Sequence, residues 1–324
     1  MECVHVAAFT RCEAAALEGS QMVSINRILC AVDFSDLSLD ALRHGLVLAR
    51  WYSARLTVFH VYQASQPLAV DVPVSVPVFV QADADKIAEE VRRFCAPLLA
   101  PSEQSVEIMV RPGDAAKEIR QEAERLPADL LILGTHGRSG FERLFLGSVT
   151  EKLIRSTRVP VLTIPPPVRE PGSPVYKTIL CPLDFSDASI RALEYALSLA
   201  QEADARLILL HVIEDVLSNA GVEALEHLSV SDYYQHREQD AVARLKAVIP
   251  DEARVWSRPD HRIVRGRAYQ EILKLAADER VELVVMGVQG KGALNRLVFG
   301  STTHRVIREA GCPVLTLHSG SVDV

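Results

Sequence analysis

Fully apolar runs alternate with helical periodicity along this chain. Residues 28–32 are apolar throughout, as in a strand that is buried on both faces of a sheet. After Asp33, the residues Leu39, Leu42 and Leu46 recur at the spacing of an amphipathic helix. The same alternation continues to residue 164. It predicts an α/β fold, in which parallel strands are covered by helices on both faces.

The first half of the chain is predicted to contain five such strands. After residues 28–32, further strands are predicted at 56–61, 106–111, 129–133 and 160–164, and later helices at 83–99, 114–125 and 147–156. Residues 70–80 interrupt this pattern, because valine occupies every even position while Pro73 and Pro77 exclude a central strand. The segment is either a loop lying over its own domain or an edge that docks on a partner or covers a ligand.

The second half of the chain repeats the first. The motif Asp-Phe-Ser-Asp occurs at 33–36 and again at 184–187, an offset of 151 residues. The offset grows to 153 between Gly134 and Gly287, which places a two-residue insertion near 214–231. We therefore predict two tandem domains, each a five-stranded parallel sheet flanked by helices. The predicted boundaries are an N-terminal extension at 1–24, domains at 25–166 and 175–319, a proline-rich linker at 167–174 and a tail at 320–324.

Each copy carries glycines at one fixed spacing between a strand and a helix. A glycine at a strand end lets another molecule approach the backbone, because it has no Cβ. A Gly-Ser pair that opens a helix presents backbone N–H groups at the positive end of the helix dipole. The motif predicts a phosphate site, and the alternative is that the glycines only permit tight turns. Its positions are Gly134, Gly137, Gly147 and Ser148, and then Gly287, Gly290, Gly300 and Ser301.

Composition and charge narrow the functional classes. The net charge of −7 over 324 residues disfavours non-specific binding to nucleic acid or to an anionic membrane. No apolar run is long enough for a membrane span, and the first residues lack the pattern of a signal peptide. The six cysteines form no Cys-x-x-Cys pair, which favours a reducing cytoplasm. The sequence contains no P-loop, zinc-site or nucleophile-elbow motif.

The two glycine motifs, each with an aspartate at the end of the first strand, resemble the signature of the universal stress protein family. The resemblance covers about residues 25–166 and 175–319. It implies a parallel fold of the adenine-nucleotide-binding type, with ATP as the ligand; whether Mg²⁺ accompanies ATP is left open. It also implies domain pairing through the last strand, within the chain or in a homodimer. The sequence does not name the protein partner.

The resemblance places Asp33 and Asp184 at the base end of the nucleotide, where a carboxylate would accept a hydrogen bond from the adenine amino group. The alternative is that Asp33 caps a helix. Ser35 and Asp36 are expected to open that helix and so to leave Asp33 free. Two valines match the family position against the base, or they are core residues: Val61 and Val212.

The glycine motif would bind the sugar and the phosphates. The first glycine of each copy, Gly134 or Gly287, would admit the ribose. Arg138 and Lys291 would reach the γ-phosphate, or they are solvated loop residues. The change Gly147→Val is expected to block binding while leaving the fold intact. The phosphates would be held by the remaining motif residues, which are Gly137, Gly147 and Ser148 in the first copy and Gly290, Gly300 and Ser301 in the second.

The copies differ directly after the first glycine, where Thr135-His136 is replaced by Val288-Gln289. The second pair offers fewer polar contacts. At roughly 0.5–1.5 kcal/mol for each of two hydrogen bonds, the second half is predicted to bind ATP about one to two decades more weakly.

Three functions are compatible with the sequence. The first is an ATP-binding regulatory protein of the stress response, in which nucleotide binding is coupled to a partner. The second is an enzyme that hydrolyses ATP or transfers a group from it, and the third is a scaffold with vestigial sites. No general base is recognisable near the glycine motif, so at most slow ATP hydrolysis is expected. His60 and His211, which end the second strand of each copy, are interpreted as structural.

Overall fold

Two compact units divide the chain, one formed by Ser24–Pro174 and the other containing Val175–Val324. The structure is a computed structural model. It describes residues 23–68, 78–81, 83–99, 106–136, 146–166, 176–214, 230–250, 253, 259–289 and 300–319. Each unit is described by itself below.

The first half contains a parallel sheet in the order β7-β6-β1-β2-β5. Two short strands, β3 and β4, pair antiparallel beside it. The elements in chain order are β1 Arg27–Ala31, α1 Asp36–Trp51, β2 Arg55–Tyr62, β3 Ser65–Leu68, β4 Val78–Gln81, α2 Ala84–Cys95, β5 Glu107–Pro112, α3 Ala115–Arg125, β6 Leu130–Gly134, α4 Ser148–Ser156 and β7 Val161–Ile164.

The second half repeats this topology, with strand order β10-β9-β8-β11-β12 and every pair parallel. The predicted α/β class and the five-stranded parallel sheet of each half are confirmed. Its elements are β8 Thr178–Pro182, α5 Asp187–Ala203, β9 Arg206–Ile213, α6 Val230–Ala247, β10 Asp260–Arg265, α7 Ala268–Asp278, β11 Leu283–Gly287, α8 Ser301–Glu309 and β12 Val314–Leu317.

The apolar runs form the centre of each sheet. β1 is buried from its second residue onward, and β6 is buried up to Leu133, since helices cover both of its faces. The strand order reverses between β1 and β6, and again between β8 and β11. Ligands in open parallel sheets bind in the crevice beyond the carboxyl ends of the strands at such a reversal. The fold therefore directs attention to the residues that follow β1, β6, β8 and β11.

The interruption at 70–80 falls mostly outside the described residues. Its last part belongs to β4, which pairs with β3 and lies outside the parallel sheet. The insertion in the second copy lies between β9 and β10. β2 and β9 begin 151 residues apart, at Arg55 and Arg206, whereas β5 and β10 begin 153 residues apart.

The cysteines of the described residues are free and buried: Cys30, Cys95, Cys181 and Cys312. Burial raises the pKa of the Cys95 thiol to about 11 and that of the Cys312 thiol to about 12. They act as small apolar core residues, because a protonated thiol is a poor nucleophile.

No helix in the described part of the chain has both the length and the apolar composition that crossing a membrane requires.

Candidate functional site

A tight aspartate–serine turn follows the first strand of each half. The Oδ1 atom of Asp33 accepts hydrogen bonds from the backbone N–H of Ser35 at 3.1 Å and from its hydroxyl at 2.5 Å. Asp184 holds Ser186 in the same way, at 3.0 and 2.6 Å. Each serine in turn caps the helix that begins one residue later. Ser35 opens the helix as predicted, but the expectation that this leaves Asp33 free is wrong, because Asp33 fixes the cap.

The phenylalanine after each aspartate adopts a backbone conformation that bulky residues rarely take. The φ angle is 65° at Phe34 and 61° at Phe185, in the left-handed region. Such strain costs about 1–3 kcal/mol, and persists only where the surrounding structure imposes it. In this conformation each ring lies against the second strand of its half. Phe34 packs on His60 with the ring centroids 4.7 Å apart, and Phe185 packs on His211 at 4.8 Å.

These two histidines hold the end of the first strand in place. The Nδ1 atom of His60 lies 2.8 Å from the carbonyl oxygen of Val32, and Nδ1 of His211 lies 2.7 Å from that of Leu183. A carbonyl oxygen only accepts, so Nδ1 carries the proton in both rings. These contacts support the structural interpretation of His60 and His211, because each holds the carbonyl that directly precedes the aspartate.

The glycine that ends β6 or β11 lies against the first helix of its half. A Cβ on Gly134 would lie 2.8 Å from Cγ of Leu37, and a Cβ on Gly287 would lie 2.8 Å from the backbone carbon of Ala188. Helix–strand packing therefore disfavours a side chain at both positions, whatever else approaches them.

The glycine before α4 or α8 lies against the preceding strand end. A Cβ on Gly147 would lie 2.9 Å from the carbonyl oxygen of Thr135, and a Cβ on Gly300 would lie 2.9 Å from that of Val288. Gly147→Val would therefore displace backbone. The expectation that this change leaves the fold intact is wrong, and a clean test of the site needs another position.

The helices α4 and α8 begin without a side-chain cap. Gly147 and Gly300 occupy the N-cap positions, where a glycine has no side chain to cap the helix, and neither helix has a side-chain cap bond among the described residues. Ser148 and Ser301, the first helical residues, are exposed. The backbone N–H groups of the first turn are therefore not satisfied by a capping side chain, and they can serve an anion.

A threonine near the start of each helix ties it to the strand end, and sequence reasoning missed both residues. The hydroxyl of Thr150 donates to the carbonyl of Gly134 at 2.8 Å, and that of Thr303 donates to the carbonyl of Gly287 at 2.9 Å. The signal was available, because threonine stands two residues after the serine in both copies. These bonds fix the helix start relative to the strand.

The polar pair that distinguishes the first half is largely turned inward. Thr135 is only 2% exposed, and its hydroxyl lies 2.9 Å from Nδ1 of His136. Nε2 of His136 is buried without a hydrogen-bond partner in the described structure. In the second half, Val288 is 1% exposed. The advantage expected for the first half therefore depends on His136 more than on the Thr135 hydroxyl.

One cavity of about 640 Å³ lies at the carboxyl ends of the second-half strands. It brings together most of the residues that the sequence selected there. These lining residues are Asp184, Val212, Gly287, Gly300 and Ser301. In the first half, Asp33, Val61, Gly134, Gly147 and Ser148 occupy the equivalent strand ends and helix start. Four of the predicted site residues fall outside the described residues: Gly137, Arg138, Gly290 and Lys291.

A wall of the second-half cavity comes from α6, which the sequence did not connect with the site. Arg237, Asp240 and Arg244 of this helix line the cavity. The guanidinium carbon of Arg244 lies 4.2 Å from the centroid of the Phe185 ring, a cation–π contact with the residue next to Asp184.

The same site thus occurs twice, at the reversal point of two parallel sheets. Fold and site together define a duplicated α/β protein, with an aspartate turn and an uncapped helix start at the sheet edge of each copy. The family model described as "Universal stress protein family" matches residues 24–165 and 175–318. The chain therefore belongs to the universal stress protein family, as a tandem member.

Individual relatives agree with this assignment. Universal stress protein MJ0531 of Methanocaldococcus jannaschii is 33% identical over 148 residues, which cover 45% of this chain and 84% of that protein. Universal stress protein Rv2005c of Mycobacterium tuberculosis is 29% identical over 237 residues, covering 73% of this chain and 75% of that protein. The crystal structure of a universal stress protein from Archaeoglobus fulgidus aligns with a TM-score of 0.59 at 20% identity, over 92% of this chain and 98% of that one. The last likeness shows a shared fold.

Proposed function

We propose that this universal stress protein binds adenine nucleotides, with ATP as the ligand of both halves, and that binding regulates a partner in the stress response. The observation that carries the proposal is the second-half cavity. A carboxylate, Asp184, and the uncapped start of α8 at Ser301 line the same space. A nucleotide needs both, since its base offers donors and its phosphates need N–H groups.

The dimensions and chemistry of the cavity suit a nucleotide. Its volume of about 640 Å³ falls within the range of about 300–1,000 Å³ that is typical of small-molecule sites. Phosphates next to Asp184 would be repelled, so the base would lie at Asp184 and the phosphates at the start of α8. Val212, which lines the cavity and is half-buried, offers an apolar surface to the base.

The remaining roles follow from this orientation. The N–H groups at Gly147-Ser148 and Gly300-Ser301 would hold phosphates, while Arg138 and Lys291 would approach the γ-phosphate. Mg²⁺ would accompany the phosphates, since it binds proteins largely through substrate phosphates and water. The role proposed is binding, in a reducing cytoplasm that keeps the buried thiols free. An ATP-hydrolysing enzyme and a scaffold with vestigial sites are the two alternatives.

Ser148 and Ser301 permit a test that spares the backbone. Both are exposed first-turn residues, where an aspartate is favourable for the helix dipole but repels a phosphate. We expect calorimetry on the full chain to detect two ATP sites in the wild type and one in each of Ser148→Asp and Ser301→Asp. At an altered site, the loss should be at least roughly 100-fold, about 3 kcal/mol.

The matched controls are Ser148→Ala and Ser301→Ala, which remove only a hydroxyl and should weaken ATP by less than about tenfold. Unchanged ATP binding by the variant that carries both Ser148→Asp and Ser301→Asp would reject the proposed phosphate sites at the helix starts. A wild type that binds no ATP at millimolar concentration would favour the scaffold. Steady turnover that a single side-chain change abolishes would favour the enzyme.

A further inference from the structure

The two halves differ at one position that contacts the phenylalanine after the site aspartate. In the first half, Phe94 of α2 packs on Phe34 with the ring centroids 5.3 Å apart. In the second half, the guanidinium of Arg244 in α6 stacks on Phe185 at 4.2 Å. Both contacts are made with the phenylalanine that directly follows the site aspartate.

Phe94 and Arg244 are spatial counterparts, since each contacts the phenylalanine after the site aspartate and the two share a burial pattern, although they stand 150 residues apart rather than the 153 that separate β5 from β10. Each stands directly before a fully buried residue and three residues after another one, and each is itself half-buried. The buried neighbours are Val91 and Cys95 in the first half and Ala241 and Leu245 in the second. An apolar ring therefore occupies the position that holds a cation in the other copy.

The contact with Phe185 positions the guanidinium of Arg244, whose carbon lies over the ring at 4.2 Å from the centroid. The N–H donors of a guanidinium lie in its own plane. Asp184 is adjacent to Phe185 in the chain, and both Asp184 and Arg244 line the cavity. The cavity of the second half thus contains both a fork of donors and a carboxylate acceptor, whereas Phe94 offers no donor.

We propose that Arg244 is a specificity-determining residue, which lets the second cavity accept guanine nucleotides while the first half selects adenine. This rests on the proposed nucleotide-binding function. Guanine presents N–H donors next to the carbonyl oxygen O6, and the N7 acceptor beyond it. The carboxylate of Asp184 suits the donors, and arginine is the side chain that commonly pairs with O6 and N7.

The first half lacks the group that O6 needs. A guanine seated at Asp33 would bring O6 against Phe94, where it would exchange water for an apolar ring. A buried acceptor without a donor is costly, and a site of this kind can reject the wrong ligand strongly. Adenine would direct its amino group, the counterpart of O6, at the Asp33 carboxylate, so ATP places no unpaired acceptor against Phe94 in the first half.

The overall charge of the α6 wall does not distinguish the bases. Arg237 and Asp240 line the same wall with opposite charges, and ATP and GTP carry equal phosphate charge. A contrast between ATP and GTP therefore reports hydrogen bonding at the base edge.

The test uses the full chain with one site blocked. Ser148→Asp leaves the second site to be measured, and Ser301→Asp leaves the first. In the Ser148→Asp protein, we expect GTP to bind within about tenfold of ATP. In the Ser301→Asp protein, we expect GTP to bind at least roughly 100-fold more weakly than ATP. These limits follow from one or two buried hydrogen bonds lost or made.

A reciprocal exchange isolates Arg244. Added to Ser148→Asp, Arg244→Phe should reduce GTP affinity relative to ATP by roughly 10- to 100-fold. Added to Ser301→Asp, Phe94→Arg should shift the ratio toward GTP. Arg244→Lys retains the charge without the planar fork, and it should behave like Arg244→Phe. Thermal unfolding of each variant shows whether it is folded.

The outcomes separate this inference from the proposed function. Equal weakening of ATP and GTP by Arg244→Phe, or a second site that binds ATP and excludes GTP, overturns the inference and leaves the function standing. Absence of both nucleotides from the second site overturns both. A ratio that moves toward GTP with arginine, in either half, supports the assignment.

Discussion

The two halves share the backbone geometry of the site and differ in side chains around it. Each has the aspartate–serine turn, a left-handed phenylalanine, a histidine that holds the preceding carbonyl, and a threonine that ties a glycine-capped helix to its strand. In contrast, Phe94 corresponds to Arg244, and Thr135 to Val288. The comparison teaches that backbone geometry constrains both copies alike, because few residue types satisfy it. The copies differ in the side chains that contact Phe34 and Phe185, where no backbone geometry restricts the residue type.

The largest expected difference between the halves is in the loss of stability when the strand-end glycine is replaced by alanine. A Cβ on Gly287 meets backbone of Ala188 and Ser189 within 2.9 Å, whereas on Gly134 the nearest atoms belong to the Leu37 side chain. Backbone cannot move aside as a side chain can. We expect Gly287→Ala to lower the free energy of unfolding of its half by about 3 kcal/mol, and Gly134→Ala by about 1.

Urea titration followed by pulsed hydrogen exchange, read by mass spectrometry, measures each half separately in the full chain. Equal losses in the two variants would mean that the helix of each half shifts with equal ease.

Acid should destabilise the first half selectively. Burial, and then the nearby charge of Arg43, lowers the pKa of His44 to about 4, whereas Tyr195 holds the equivalent place in the second half. Between pH 6.5 and 4 the unfolded state binds more protons than the folded state, so stability falls as the pH falls. From pH 6.5 to 5 the first half should lose about 2 kcal/mol.

The measurement ends at pH 5, because burial raises the pKa of Asp40 on the same helix and this works in the opposite direction at lower pH. The same pulsed exchange, with urea equilibrated at each pH and a common pulse, reads the result. His44→Tyr should remove the dependence, and a persisting slope would assign it to another group.

The smallest of the three expected differences between the halves is in ATP affinity. The sequence predicts that the second half is weaker by about one to two decades. The hydroxyl of Thr135 is already hydrogen-bonded to His136, so it contributes less to a ligand than the sequence suggested. We therefore expect the two ATP affinities to differ by nearer one decade. Calorimetry on Ser301→Asp and Ser148→Asp compares the sites within the full chain. A second site as tight as the first would reject the ranking.

Some site features were predictable because they depend on residues that are close in sequence. The Ser35 cap and the Gly300-Ser301 helix start follow from local preferences, and repetition in two copies marked them. The hydrogen bonds from Ser35 to Asp33 were missed within that same local turn, because capping rules assign the serine without showing what orients it. Arg244 was missed because 59 residues separate it from Phe185, and no local pattern reports a contact across that distance.

The sequence by itself determined the order of the parallel strands and their helices, the duplication and the family, but not the β3–β4 pair, because burial periodicity and glycine spacing are written along the chain. Only the tertiary structure shows why Gly134 and Gly287 disfavour a side chain, since the atoms that a Cβ would meet belong to Leu37 or Ala188 in another element. It alone also decided that α6 contributes a wall to the cavity. Packing between distant elements depends on how the whole sheet orients each helix, and this orientation exists only once the chain has folded.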